Sequence, residues 1–322
     1  MAKRCIVIGA TGHVGSYMVP EMVRMGYEVI AVARGNRVAY TLDDPAWKSV
    51  QTVIADRKAM EAEGKFGNFI MSFHPDVIVD TICYTLEQAV EMATAMRGKV
   101  EHYIQIGTIW IYDHLLQIPC TEDHPRNAKC AYGIKKAAIE KYLFSQIEQG
   151  IPATVIHPGH ISGRGWAAIN PQGNTNLQVY QDIINGRPIL LPERGLGTLH
   201  HVHSADIAAL TAACLRQPEK SIGEAFHAVT PHAMTLLGMT EKLSEAFGYE
   251  CPEPRFLPWD EFAAELAPSD AATTLDHISK CPSASMEKAK RLLGFEPKYT
   301  TMATMLDSVD SLLEMGKLTI ER

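Results

Sequence analysis

Along the first half of the chain, short runs of consecutive apolar residues alternate with stretches whose apolar positions recur every three or four residues. Cys5–Ile8, Glu28–Ala33, Val50–Ala55, Val77–Thr81, Tyr103–Gly107 and Ala153–His157 are of the first kind, and each predicts a strand buried on both faces. His13–Met25, Lys58–Phe73, Leu86–Met96 and Ala131–Glu148 carry helical spacing, and Gly26 stands where a helix-ending glycine belongs. Strand–helix alternation of this kind predicts an α/β fold, a doubly wound parallel sheet with right-handed crossovers and helices on both faces. The pattern changes after Pro158. Loops rich in Gly, Pro and Asn (Pro158–Gly165, Asn170–Asn176) are followed by helical segments near Leu177–Asn185, Ala205–Arg216, Thr235–Phe247 and Met302–Met315 and a strand-like Pro188–Leu191. No internal repeat is visible.

The turn after the first strand carries the first chemistry. Gly9-Ala-Thr11-Gly12-His13-Val14-Gly15 places glycines at i, i+3 and i+6 between a strand and a helix. The first glycine permits the tight turn, the second a close backbone approach to a pyrophosphate, and the third the packing of helix on strand. Free N–H groups at the helix start favour the anion. This predicts a Rossmann-type dinucleotide site, with residues 1–160 as the dinucleotide-binding domain. Residues 161–322 form mainly a smaller α/β substrate-binding lobe, some of whose segments return to the sheet. The end of the second strand chooses the cofactor. An acid there would bond the ribose 2′-hydroxyl of NAD, but Val32-Ala33-Arg34-Gly35-Asn36-Arg37 has none. Arg34 and Arg37 fit a 2′-phosphate, so NADP(H) is favoured over NAD(H), the other reading being two solvated loop charges. Asp56 fits either an acceptor for the adenine amino group or a helix N-cap. Cys83, just past the fourth strand, packs by the cofactor in this reading.

Composition narrows the class. With 322 residues, 46% hydrophobic and 21% charged, the chain has enough apolar material for a core without disulfides or structural metal. A net charge of −7 argues against nucleic acid as partner. The apolar run near the start is too short for a signal peptide, and no stretch reaches the roughly 18–20 apolar residues of a membrane span, so the expected location is the cytoplasm. Seven scattered cysteines, none in a CxxC pair, fit reduced thiols. His200, His201 and His203 are close in sequence, as are His157 and His160. Strand alternation puts His201 and His203 on one face and His200 on the other, and no carboxylate or thiol cluster completes a ligand set, so no metal is expected.

Tyr132-Gly-Ile-Lys-Lys136 puts a phenol and an ammonium four residues apart, on one face of a helix. A free tyrosine titrates near ~10, too high for a base at neutral pH, and a neighbouring cation such as Lys136 is expected to lower it. Gly107-Thr108 closes the fifth strand with a hydroxyl at its carboxyl end, where ligands of open α/β sheets bind. Trp110 and Tyr112 fit either pocket wall or core, and Cys130 lies near the expected mouth.

On these residues the chain resembles an extended short-chain dehydrogenase/reductase of the NAD-dependent epimerase/dehydratase group. Gly9, Gly12 and Gly15 match its glycine motif, and Thr108, Tyr132 and Lys136 its Ser/Thr–Tyr–Lys triad. Pro158-Gly-His160-Ile-Ser-Gly163, His201-Val-His-Ser-Ala-Asp206 and Leu293-Gly-Phe-Glu-Pro297 match further along. The resemblance implies that Tyr132 exchanges a proton with a substrate alcohol or carbonyl while Thr108 bonds the same oxygen, that Lys136 bonds the nicotinamide ribose, and that Pro158 lies against the cofactor. It also implies a homodimer built on the Leu86–Met96 and Ala131–Glu148 helices. Two departures stand out. Leu199 occupies the place of an arginine that binds the diphosphate of nucleotide sugars, leaving Arg164, Arg187 or Arg194 as substitutes. His160 replaces a usual asparagine, which marks His160, and with it His201, as substrate candidates. The favoured expectation is an NADP(H)-dependent reductase or dehydrogenase of a small carbonyl or alcohol. A nucleotide-sugar epimerase or dehydratase that recycles NAD within one turnover is the alternative. A non-catalytic NADP-binding sensor or scaffold is the third.

Overall fold

A computed structural model describes residues 2–321. Its elements run β1 (Arg4–Ile8), α1 (His13–Arg24), β2 (Glu28–Ala33), β3 (Gln51–Ile54), α2 (Arg57–Glu61), α3 (Phe66–Met71), β4 (Val77–Asp80), α4 (Leu86–Met96), β5 (His102–Ile106), α5 (Ala131–Ser145) and β6 (Ala153–Pro158). The second half holds β7 (His160–Ser162), α6 (Leu177–Ile183), β8 (Leu190–Pro192), β9 (Thr198–Leu199), β10 (His201–His203), α7 (Ser204–Arg216), α8 (Pro218–Ser221), β11 (Ala225–Ala228) and β12 (Met234–Thr235). It ends with α9 (Leu236–Ala246), β13 (Arg255–Leu257), α10 (Trp259–Ala264), α11 (Pro268–Ile278), α12 (Glu287–Leu293) and α13 (Thr301–Glu314).

Seven strands form one sheet in the order β11–β6–β5–β4–β1–β2–β3, parallel at every pairing. The chain winds outward from β1 in both directions, so the order reverses between β1 and β4. A crevice opens there beyond the carboxyl ends of the strands, the usual ligand position in such sheets. Adjacent residues point to opposite faces. Val7, Val29 and Val79 pack under α1 and α7 in one apolar layer. Ile6, Ile30 and Ile78 pack with Phe66, Met92 and Ile139 in the other. That double burial is why the strands read as continuous apolar runs. A third apolar cluster joins Tyr180, Ile183, Leu199, Leu236, Leu243, Met305 and Leu312.

Three details depart from the sequence reading. The stretch Lys58–Phe73 is two short helices, α2 and α3, because Gly64 takes a left-handed φ of 63° between them. β3 is an edge strand with Ile54 73% exposed, not a strand buried on both faces. Helices α10, α11 and α12 of the second half have no counterpart in the expected pattern, whereas β11, which pairs with β6 in the main sheet, is a second-half segment of the returning kind the sequence reading included.

Candidate active site

A cleft of about 520 Å³ runs along the carboxyl ends of the strands, from the glycine-rich turn to Tyr132. At the turn, Gly9 has φ 84°, and a Cβ on it would lie 2.3 Å from Thr81 Oγ1. A Cβ on Gly15 would lie 2.2 Å from the Gly9 carbonyl oxygen, so Gly15 acts from behind the cleft by letting α1 close on β1. Gly12 is the N-cap of α1 and puts no side chain over its start. Among the described residues, the amides of His13 and Val14 have no backbone acceptor. Open N–H groups, a bare N-cap and the helix dipole fit a pyrophosphate, and with it a dinucleotide. His13 stacks on Trp166 at 4.0 Å between ring centroids and shares a 3.1 Å hydrogen bond with Tyr40. Burial lowers its imidazole to about 4, so it adds no cation at neutral pH. Trp166, from a loop of the second half, therefore closes over the turn. Nothing in its sequence spacing signals this.

Arg34, Asn36, Arg37, Asp56 and Lys58 line the far end of the cleft, and among the described residues Asp56 is the only acid on its wall. Arg57 and Lys58 add cations that the sequence motif did not single out. Asp56 does one of its two expected jobs visibly: its Oδ1 accepts from the Ala59 amide at 3.1 Å and caps α2. Behind it lies a buried ion pair, in which Arg57 Nη1 donates to both Asp80 oxygens at 2.8 and 2.9 Å.

At the other end, α5 carries Tyr132 and Lys136 toward Thr108. The close approach depends on Gly133, where a Cβ would lie 2.0 Å from the Trp110 carbonyl oxygen. Cys130 is the N-cap of α5, its Sγ accepting from the Gly133 amide at 3.4 Å, which explains its place beside Tyr132 without a nucleophilic role. Thr108 caps the short 3₁₀ turn Ile109–Ile111, its Oγ1 accepting from the Trp110 amide at 3.2 Å. Lys136 is 2% exposed, and its Nζ donates to the carbonyls of Cys83 and Ile106, both at 2.7 Å. An ammonium has three donors, so one remains for a ligand. Cys83 thus contributes its carbonyl from beneath the cleft, not its thiol.

Lys136 was expected to lower the Tyr132 phenol, and the balance runs the other way. Tyr132 is 39% exposed and lines the cleft, but protein packed around its phenol desolvates it. That burial, with Tyr84 nearby, pushes it up to about 12 against the opposing bond from Thr108. The phenol is the acid form at neutral pH, ready to give a proton. Burial also lowers Lys136, to about 8. Tyr84 faces the same ammonium, its ring centroid 5.0 Å from Nζ against 5.8 Å for Tyr132. The sign gives a prediction. Lys136 is an ammonium below about pH 8 and a neutral amine above it, so kcat/KM is expected to fall through that region. A pH profile of Lys136→Arg should lack this limb, because a guanidinium stays charged throughout.

The substrate candidates are dispersed. Trp110 stands edge-on to Tyr132 at 6.2 Å and to His277 of α11 at 5.2 Å, next to Tyr132 but not on the wall of the cofactor cleft. His160 and His201 are buried and do not line the cofactor cleft. His201 Nε2 bonds the Ile169 carbonyl at 2.9 Å, and His160 Nδ1 lies 3.2 Å from the His200 carbonyl. His200 bonds the Thr230 carbonyl and the Ala284 amide, and His203 pairs with Asp307. Pro158 ends β6 beneath the cleft rather than on its wall. Leu199 is fully buried. Arg164 pairs with Asp307 and Glu314, and Arg187 with Asp182 and Glu321, so neither is free to replace the missing arginine.

Comparison with known proteins places this geometry. The chain is 23% identical to the Arabidopsis thaliana chloroplast stem-loop binding protein of 41 kDa b, over 99% of its own length and 81% of that protein. It is 24% identical to a UDP-glucose 4-epimerase of Corynebacterium glutamicum, over 94% of both. The solved UDP-glucose 4-epimerase of Thermotoga maritima with UDP-glucose superposes with a TM-score of 0.74 at 19% identity, covering 97% of this chain and 99% of that one. At that identity the likeness establishes the seven-stranded Rossmann-type fold and no more. The profile of the NAD dependent epimerase/dehydratase family matches residues 5–228, which span the glycine-rich turn, Thr108, Tyr132 and Lys136, and the chain is a member of that family.

Proposed function

We propose that this protein is a nicotinamide-dependent oxidoreductase of the epimerase/dehydratase kind, acting at a secondary alcohol or ketone carbon of a small hydroxylated molecule. The observation that carries this is the placing of Tyr132 and Lys136 on the wall of a cleft that also holds the dinucleotide turn, with the buried Thr108 hydroxyl bonding Tyr132 from behind. Tyr132 gives its proton to the substrate oxygen as hydride arrives at the carbon, or takes it as hydride leaves. Thr108 bonds the same oxygen. Lys136, held by two carbonyls, turns its third N–H to a ribose hydroxyl. When bound, the nicotinamide supplies or takes up the hydride. The curated UDP-glucose 4-epimerases among the relatives support transient oxidation within one turnover.

A second reading, net NADP(H)-dependent reduction of a small carbonyl, is favoured by Arg34, Arg37 and Lys58 around a cleft end with one acid, and by Leu199 in place of a diphosphate-binding arginine. Arg34→Ser is expected to weaken NADPH about 10–100-fold while leaving NADH within a few-fold, the size of one or two charge-assisted hydrogen bonds. Calorimetric titration with each nucleotide checks it. Equal losses for both would mean that Arg34 reads no 2′-phosphate.

The deciding experiment combines mass analysis of any nucleotide that co-purifies with two assays: interconversion of UDP-glucose and UDP-galactose, and NADPH oxidation against a panel of ketones. Retained NAD(H) and sugar interconversion support the first reading. Exchangeable NADPH with carbonyl reduction supports the second. Tight NADPH with neither activity favours a non-catalytic binding protein. Exposed Leu86 and Val90 on α4 and Ile134 on α5 support a homodimer through these helices.

A further inference from the structure

Behind Thr108 lies a buried polar chain that none of the sequence motifs includes. The Thr108 amide donates to His157 Nδ1 at 3.0 Å. His157 is on β6 and fully buried. A neutral imidazole that accepts at Nδ1 carries its proton on Nε2, and Nε2 makes a close hydrogen bond to Glu140 Oε2. The other Glu140 oxygen accepts from Arg126 Nε at 2.7 Å, and Arg126 also donates to the His124 carbonyl at 2.9 Å. Glu140 stands four residues after Lys136 and eight after Tyr132, so one face of α5 carries the proton donor, the cation and this anchor. The imidazole also lies against the backbone of the turn. A Cβ on Gly107 would sit 2.4 Å from His157 Nδ1, so the ring fits only because residue 107 is glycine.

We infer that His157, oriented by Glu140, is a positioning residue that fixes the Gly107–Thr108 turn and so the place of the Thr108 hydroxyl against Tyr132. The carboxylate selects the tautomer: with the proton held on Nε2, the Nδ1 lone pair is left for the Thr108 amide. Without it, the proton can move to Nδ1, where it would face the Thr108 N–H donor to donor and push the turn away. His157 does not reach the cleft and exchanges no proton with substrate. Its effect on turnover rests on the acid–base reading of Tyr132 and Thr108, whereas its hold on the turn does not.

Two substitutions separate the two ends of the ring. His157→Asn puts a carbonyl oxygen near the position of Nδ1 and abandons Glu140. His157→Gln puts an amide donor near the position of Nε2 and abandons Thr108. Exchange of the Thr108 amide, followed by NMR on the full-length protein with NADPH, is expected to stay slow in His157→Asn and to speed up at least ~100-fold in His157→Gln. In any assay that Tyr132→Phe abolishes, His157→Gln should lose about 100-fold in kcat, the scale of a misplacement near 1 Å. KM should be nearly unchanged, and His157→Asn should retain most of the activity. ¹⁵N-histidine NMR on the wild type, which needs neither a variant nor a substrate, should show His157 protonated on Nε2 alone. A proton on Nδ1 in the wild type overturns the inference. So does equal Thr108 exchange in the two variants, or a Gln variant as active as the Asn one. If Tyr132→Phe leaves turnover intact, the acid–base reading fails instead, and the tautomer and exchange results still decide the hold on the turn.

Discussion

Replacing Tyr132 with phenylalanine is expected to lower kcat by about 10²–10⁴-fold, the usual worth of one placed acid–base group. The substitution removes one oxygen and keeps the ring. The ring's neighbours, Trp110 edge-on at 6.2 Å and the Lys136 ammonium at 5.8 Å, can stay where they are. Nothing on the pyrophosphate side of the cleft changes, so NADPH binding measured by calorimetry should stay within a few-fold. Steady-state kinetics on a substrate found by the two assays above gives the answer. A fall in kcat and kcat/KM together places the phenol in the transition state, whereas a rise in KM alone would make Tyr132 a binding group only.

Asp80→Ala carries the largest expected loss of stability, about 3–5 kcal/mol, because it strands a buried charge. Asp80 is fully buried at the carboxyl end of β4. It accepts from Arg57, from the Tyr103 hydroxyl at 3.0 Å and from the Ile82 amide at 3.1 Å. Burial works against the charge of Arg57, and the Asp80 carboxylate outweighs it, so the guanidinium is held above its ordinary range. In the variant, Arg57 keeps only Glu61 as a carboxylate partner. Urea unfolding monitored by circular dichroism gives the difference. The double variant Arg57→Met/Asp80→Leu should be markedly less damaged than Asp80→Ala, because it buries no unpaired ion. A cost below 1 kcal/mol for Asp80→Ala would show that water reaches the pair in solution. Arg57 lines the cleft beside Asp56, so NADPH affinity should fall in the same variant.

What was legible in the chain was what lies close together along it. The glycine turn works through the spacing of seven consecutive residues, and Tyr132 and Lys136 meet because a helix brings every fourth residue to one face. The strands were legible because burial on both faces leaves an unbroken apolar run. Where a run lies at the sheet edge with only Val53 partly buried, as in β3, apolar content misled. The split between α2 and α3 turns on the single positive φ of Gly64.

Other features depend on residues far apart in sequence, and no local pattern announces them. His157 meets the Thr108 amide across 49 positions, Asp80 meets Arg57 across 23, and Trp166 stacks on His13 from another part of the fold. The expectation that Lys136 acidifies Tyr132 failed for a related reason. Spacing predicts proximity but not solvation, and desolvation proved the stronger influence. The histidine-rich stretch shows the same limit from the other side: His160 and His201 stood as substrate candidates, and packing gives His201 Nε2 a backbone carbonyl, His200 a carbonyl and an amide, and His203 the Asp307 carboxylate, while His160 Nε2 and His201 Nδ1 are buried without a partner among the described residues.

The sequence by itself determined the doubly wound sheet, the dinucleotide turn, the phenol–ammonium pair and the family resemblance, since each is written in short-range spacing that backbone geometry converts directly into shape. Only the tertiary structure decided which charges face the cleft, which are spent on one another, which tautomer a buried histidine needs and which way a buried phenol titrates. Those outcomes depend on desolvation and on partners brought together by the sheet crossovers, and both exist only once the chain has closed on itself.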